Sequence, residues 1–496
     1  MTHAGWGDPQ RRKGLPAAAD SWLEKTVGRG RRSTPAPVAA LPASRLDEAQ
    51  LAALRATGAE LDVSDEARIA RAAGRSYLDL LSLRSGSFDV PDAVVRPEAD
   101  QVGAVLRTGV TVVPFGGGTS VVGGVAPLGG PVVALDLGRL DRLVALSEED
   151  RTATLEPGLT GPAAERLLNA RGWTLGHFPQ SFEHATIGGF AATRSAGQAS
   201  TGYGRFDALV VAMTVETPAG PLEVGGPPTA AGPSLLQLFL GSEGAFGVIT
   251  SVTVKIKPLP EVKRYDAWLV SSWEDGIRQL RELEHGGVLP EVARLSDVDE
   301  TATQLRLSAP KAVQRLARGR CLMILGWEGT AASVKRRRQR MKGIPLPGAG
   351  DKWEHGRYDG PYLRDDLMDA GFLVETLETS AAWSQLSEVW TEVRTALTGA
   401  LGECVVMCHV SHLYAHGASL YFTVLASADR DWVPAKKAAT DALVRTGATI
   451  THHHAVGVDH APWMPAEIGD LGVDVLRAVK QVVDPDGVLN PGKLIP

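Results

Sequence analysis

The run VPFGGGTSVVGG, residues 113–124, places five glycines in twelve positions directly behind the apolar stretch 110–113. Glycine opens positive φ and removes the Cβ atoms that keep backbone away from a ligand, at a cost in chain entropy. A strand that runs into such a segment must turn tightly, either against its own neighbours or around an anion held by converging amides. The pattern excludes two phosphate loops: it lacks the GK[ST] ending of nucleoside-triphosphate sites, and GGGTS departs from the GxGxxG of nicotinamide domains. Two further glycine-dense stretches follow, HFPQSFEHATIGGFAATRSAGQASTGYGRFDALVVAM (177–213) and GSEGAFGVIT (241–250). Three such stretches within one unit suit a long ligand with phosphates, a sugar and a flat ring.

The chain around them reads as an α+β protein. From residue 90, short β-rich runs alternate with two helical segments, 97–109 and 161–172, as far as FGVITSVTVKIKPLP. Beyond Pro258 and Pro260 a second unit alternates strands such as RCLMILGWEG with amphipathic helices such as SWEDGIRQLRELEHGG. The first 45 residues, proline-rich and basic at 11–13 and 29–32, read as an arm, followed by helical spacing in 45–85. The expected division is 1–88, 89–260, 261–445 and 446–496, the last segment completing the ligand site of the second. With 496 residues, more than one core is expected.

A formal charge of -6 argues against nucleic acid as partner. Three cysteines, Cys321, Cys404 and Cys408, without a CxxC pair fit a reducing compartment. With no long apolar run and no apolar leader, a cytoplasmic protein is expected. The basic arm offers a surface for peripheral contact with anionic lipid.

The order PFGGGTS, QSFEHATIGG, ATRSAG, SEGAFGVIT resembles FAD-binding proteins of the vanillyl-alcohol oxidase type, with an FAD-linked oxidase C-terminal half. The resemblance implies a two-subdomain (PCMH-type) FAD-binding domain plus an α+β substrate cap. It assigns the cofactor to Pro114, Phe115, Gly116, Gly117, Gly118, Thr119 and Ser120 around the pyrophosphate. The remaining contacts fall to Gln180, Ser181, Thr186, Gly188, Gly189, Thr193, Arg194, Ser195, Ala196, Glu243, Gly244, Gly247, Val248 and Ile249. No histidine stands in the first loop to tether the flavin, so non-covalent FAD is expected.

Within that fold the GDGNxH and EHGxG signatures of 2-hydroxyacid dehydrogenases are absent. The stretches SLRSGSFDVPDAVVRP, YLRDDLMDAGFLVETLETSAAW, SHLYAHGASLYF and THHHAVGVDH instead resemble the alkyldihydroxyacetonephosphate synthase family. That resemblance implies exchange of the acyl group of acyl-dihydroxyacetone phosphate for a long-chain fatty alcohol, without net redox, in a homodimeric enzyme. An FAD-linked oxidoreductase acting on an alcohol or hydroxy acid is the alternative. Tyr414 is the expected proton donor, lowered toward use by nearby cations, with His452, His453 and His454 polarising the site. Arg364 is expected on the substrate phosphate, and Arg294, His177 and Thr376 near the substrate, Thr376 standing where eukaryotic members carry serine. If the histidine run is extended, its rings alternate sides and cannot meet one centre, which argues against a metal.

Overall fold

The computed structural model describes residues 2–338 and 342–496. Three sheets of four or more strands carry the fold. In the first, Glu60–Asp62, Ala93–Arg96, Val132–Asp136 and Thr111–Phe115 lie in that order, parallel except for the outermost pair. Ala93–Arg96 and Val132–Asp136 are mostly apolar and buried on both faces, as inner strands of a parallel sheet are. The glycine loop leaves the end of Thr111–Phe115, and the chain's last turn returns to that strand through a parallel bridge between Val112 and Leu489.

The second sheet is antiparallel, in the order Leu143–Ser147, Thr152–Leu155, Val248–Lys255, Val210–Thr217 and Gly220–Gly225. Val210–Thr217 alternates buried with more exposed positions, the mark of a sheet with one face on a core. That core also takes Ile450, Met464, Val473 and Val483, so the C-terminal helix Met464–Val483 packs on the glycine-loop unit rather than on the cap.

The third sheet has seven antiparallel strands: Ile344–Pro345, Val262–Val270, Cys321–Gly329, Val292–Ser296, Cys404–Tyr414, Gly417–Ser427 and Phe372–Ala382. Helices Trp273–His285 and Leu386–Leu401 bury Leu280, Val389, Val393 and Leu397 against it in the largest hydrophobic cluster. Phe372–Ala382 lies at one edge. The chain crossing back toward the glycine loops docks there, where Thr449 and Ser380 exchange hydrogen bonds.

Two expectations change. The basic N-terminus is folded onto the molecule rather than extended as an arm. Trp6 is 4% exposed and its amide donates to Asp365 at 2.6 Å. Arg12 pairs with Asp366 and Asp369, Arg11 with Glu183 and Lys13 with Asp359. Helix Ala17–Val27 then buries Leu23 and Val27 in the cap core. Most of the charge available for lipid is therefore spent on carboxylates within the chain. The helical region after it divides into Glu48–Ala56, Asp65–Ala70 and Tyr77–Ser85, with the strand Glu60–Asp62 after the first; between the last two, Gly74 runs so close to Ser120 that a Cβ would lie 2.2 Å from its carbonyl oxygen. Among the described residues no helix is long and apolar enough to cross a membrane.

Candidate functional site

The three glycine-dense stretches and the cap sheet enclose one cavity of about 610 Å³, within the range of small-molecule sites. All the residues assigned to the cofactor line it except Arg194. Gly117 shows why bare backbone is needed: a Cβ there would sit 2.0 Å from the His184 carbonyl oxygen, so the loop and the 181–186 turn touch main chain to main chain. Gly118 adds a left-handed φ of +63°. Thr186 caps the short helix Ile187–Ala192 by accepting from the Gly189 amide. Ser120 Oγ accepts the Gly124 amide at 2.9 Å.

The loops are tied together from behind. Asn490 donates its side-chain amide to the carbonyls of Gly124 and Glu243, joining the first and third glycine stretches to the C-terminus. The Glu243 carboxylate accepts the amides of Val456 and Gly457, both at 2.8 Å, and burial raises its pKa to about 7.

On the cap side, alternation brings Tyr421, Thr423 and Leu425 to the cavity from one strand and Met407, His409 and Ser411 from the next. Arg294 and Thr376 also line it, as do His453 and His454. Arg294 Nη2 pairs with Glu300 at 2.6 Å and Nη1 lies 3.1 Å from His409 Nε2. Thr376 Oγ1 lies 3.3 Å from Thr423 Oγ1. Arg364, also a lining residue, is the most telling: Nη1 donates to the Arg75 carbonyl at 2.6 Å, while Nε and Nη2 are buried without a hydrogen-bond partner. Burial lowers its pKa, against the pull of Glu375 and Asp365. A buried guanidinium with free donors is a strong site for an oxyanion.

Four expected residues stand elsewhere. Tyr414 does not line the cavity. It lies at the end of its strand, beyond a bulge at His412, and its hydroxyl meets His452 Nε2 at 2.6 Å. Its pKa is raised, not lowered: burial outweighs the nearby Arg205. Tyr421, which sequence reasoning passed over, holds the cavity position and meets His453 Nδ1 at 2.8 Å. His177 is 1% exposed between Phe190 and Phe206, its Nε2 3.1 Å from Ser195 Oγ, so it supports a lining residue rather than lining. Arg194 spends its guanidinium on Asp207 and the carbonyls of Gln237 and Leu240. His452 sits behind the wall, buried.

The histidine run is a bend, not a strand, and its alternation therefore fails. All three rings approach one carboxylate, with Nδ1 atoms 3.7–3.8 Å from Glu378. Burial depresses each imidazole to about 4 against the attraction of Glu378. The carboxyl itself is held well below its usual range, because the imidazoles and the Thr451 hydroxyl outweigh its burial. Ligand atoms of Glu378, His452 and His453 lie within 4.8 Å of one another, a spacing open to a metal ion. Both carboxylate oxygens, however, already accept protein donors, and His453 Nδ1 faces Tyr421.

Leu15, Trp22, Leu363, Leu367, Met407 and Leu425 give the cavity an apolar lining. The site thus combines a main-chain cradle, an unpaired arginine, a tyrosine–histidine pair and an apolar chamber.

Residues 91–225 match the FAD binding domain family and residues 259–494 the FAD linked oxidases, C-terminal domain family. The cradle fits that cofactor: close-packed glycine turns leave main chain facing the cavity where Cβ atoms would collide. Over 476 residues the chain is 33% identical to an alkyldihydroxyacetonephosphate synthase of Trypanosoma brucei brucei, covering 87% of this chain and 77% of that one. It is 30% identical to the Dictyostelium discoideum synthase over the same shares. A solved alkyldihydroxyacetonephosphate synthase superposes with TM-score 0.83 at 25% identity, covering 100% of this chain and 99% of that one. A p-cresol methylhydroxylase shares the fold at TM-score 0.70 and 16% identity, over 93% and 98%. The chain is an FAD-binding protein and belongs to the alkyldihydroxyacetonephosphate synthase family.

Proposed function

We propose that this protein exchanges the acyl group of acyl-dihydroxyacetone phosphate for a long-chain fatty alcohol, forming the ether bond of an ether-lipid precursor with no net redox change. The observation that carries the reading is Arg364, a residue with two unpaired buried donors in the wall of the cavity that also holds the glycine cradle and the apolar side chains. A phosphate head and a long chain need those features together, whereas a small hydroxy acid needs no apolar chamber.

The residues from Pro114 to Ser120 and their partners in the other two stretches would hold FAD non-covalently, and the bound flavin would supply a nucleophilic ring nitrogen. Arg364 binds the phosphate by its planar fork and fixes the head of the substrate. Tyr421 and His453 share a proton 2.8 Å apart at the cavity wall, where a proton must leave the three-carbon unit and later return. Burial keeps both groups neutral at pH 7, so a proton taken from the substrate leaves the pair with one positive charge, which Glu378, 3.8 Å from His453 Nδ1, offsets. The side chains of Leu15, Trp22 and Leu367 offer the fatty chain apolar surface to bury.

The test uses the purified holoenzyme with palmitoyl-dihydroxyacetone phosphate and hexadecanol, with no electron acceptor. Ether product supports the proposal. Absence of product, together with bleaching of the flavin by a hydroxy acid, overturns it in favour of an oxidoreductase.

A further inference from the structure

Glu378 lies midway along the edge strand Phe372–Ala382, directly opposite Tyr421 in the ladder. It is 2% exposed. Its Oε2 accepts the His452 amide at 2.7 Å, and its Oε1 accepts the amides of His453 and His454 at 3.2 and 2.9 Å and the Thr451 hydroxyl at 2.7 Å. Three consecutive amides converging on one anion form a nest, here filled by a side chain of the protein itself.

The same segment is fastened to the strand without Glu378. Thr449 donates its amide to the Ser380 carbonyl at 3.0 Å, Ser380 donates to Thr449 Oγ1 at 2.9 Å, and Thr379 Oγ1 donates to the Thr449 carbonyl at 2.5 Å. Anchoring therefore does not call for a buried charge, whose desolvation is unfavourable. What Glu378 adds is orientation. It dictates which way three successive peptide planes face, and so where the imidazoles on them point. Two of those rings, His453 and His454, line the cavity, and His453 meets Tyr421.

We infer that Glu378 is a positioning residue: through the amides of residues 452–454 it aims His453 at Tyr421, and it holds a fixed negative charge behind the cavity wall. Its effect on rate rests on the proposed exchange reaction; its effect on the cofactor does not. A buried anion behind the wall opposes addition of electrons to a flavin in the cavity.

The decisive variant is Glu378→Gln, which keeps shape, removes the charge, and turns one acceptor into a donor facing the His452 amide. In the FAD-loaded protein kcat is expected to fall about tenfold or more with KM within about twofold. The flavin reduction potential, read by dye equilibration, is expected to become more positive. Glu378→Asp keeps the charge, so its potential stays at the wild-type value and part of kcat returns. Thr449→Val removes an anchor and leaves Glu378 in place; both readouts stay near wild type.

A Glu378→Gln protein with wild-type kcat and potential overturns the inference, as does a Thr449→Val protein that reproduces the Glu378→Gln loss. Should Glu378→Gln fail to retain FAD, Glu378→Asp decides: a wild-type potential with intermediate kcat supports the inference, and loss of FAD there too overturns it. A wild-type enzyme that makes no ether product sinks the proposed function alone, since the potentials still test Glu378.

Discussion

Arg364 and the two tyrosines separate binding from proton transfer, so their variants should fail differently. Arg364 offers two buried, unpaired donors, and Arg364→Ala removes charge-assisted hydrogen bonds of about 1.5–3 kcal/mol each at most. The KM for the phosphate substrate should rise about tenfold to a hundredfold with a smaller change in kcat. Arg364→Lys should recover only part of it, since an ammonium lacks the planar fork. A KM unchanged in Arg364→Ala would place the phosphate elsewhere. For the tyrosines the expected order is fixed by position: Tyr421 faces the cavity and Tyr414 stands behind His452. Tyr421→Phe should lower kcat about a hundredfold or more, the scale of a lost proton donor. Tyr414→Phe should cost far less, because it removes one hydrogen bond to a ring outside the wall. Equal losses in the two, with FAD retained in both, would contradict this assignment.

At the scale of elements, the first glycine loop is the part most exposed to a single methyl group. Gly117→Ala brings a Cβ to 2.0 Å from the His184 carbonyl oxygen, and neither main-chain segment can retreat without opening the cradle. Purified Gly117→Ala should be folded by circular dichroism yet colourless, with FAD uptake lost in an absorbance titration. Uptake at wild-type affinity would show the contact to be slack. This loop was legible in the sequence because its constraint is local: a short run of glycines after an apolar strand has few other uses. The strand that carries Tyr421, Thr423 and Leu425 was legible as a β-rich run, but its cavity face was not, since LYFTVL is apolar on both sides, and Tyr414 drew the proton role by its place in a motif. Other features rest on contacts that sequence order hides. The histidine bend is shaped by Glu378, more than seventy residues earlier in the chain. The folding of the N-terminus depends on acidic partners on the helix Gly360–Ala370, whose spacing resembles any solvated face until Arg12 and the Trp6 amide meet it.

For the whole molecule, burial of many imidazoles sets the response to acid. His452, His453, His454 and His460 each titrate near about 4 in the folded chain, burial being the main cause. Unfolded, an imidazole titrates near about 6.5, so the unfolded chain binds these protons more tightly. Stability from the four groups is thus fully present above about 6.5 and lost as pH falls toward about 4. Seven carboxyls act in the opposite sense: burial raises Asp297 to about 6 and Glu243 to about 7, and raises Asp79, Glu165, Glu291, Glu375 and Glu467 as well, so each weakens the fold as pH rises above the ordinary carboxylate range. Burial also lowers His177, His184, His409 and His412, and eight imidazoles against seven carboxyls leave a net gain with rising pH. The thermal midpoint of the protein should therefore climb from pH 4.5 to 6.5 and level off above, as read by scanning fluorimetry in buffers of matched ionic strength. The imidazoles of His452, His453, His454 and His460 belong to the 452–460 segment, which Glu243 of the third glycine stretch holds to the cavity through the amides of Val456 and Gly457, so FAD release should follow the same pH course as unfolding begins. A midpoint that is level or falling across that interval would mean the imidazoles are not held neutral by burial.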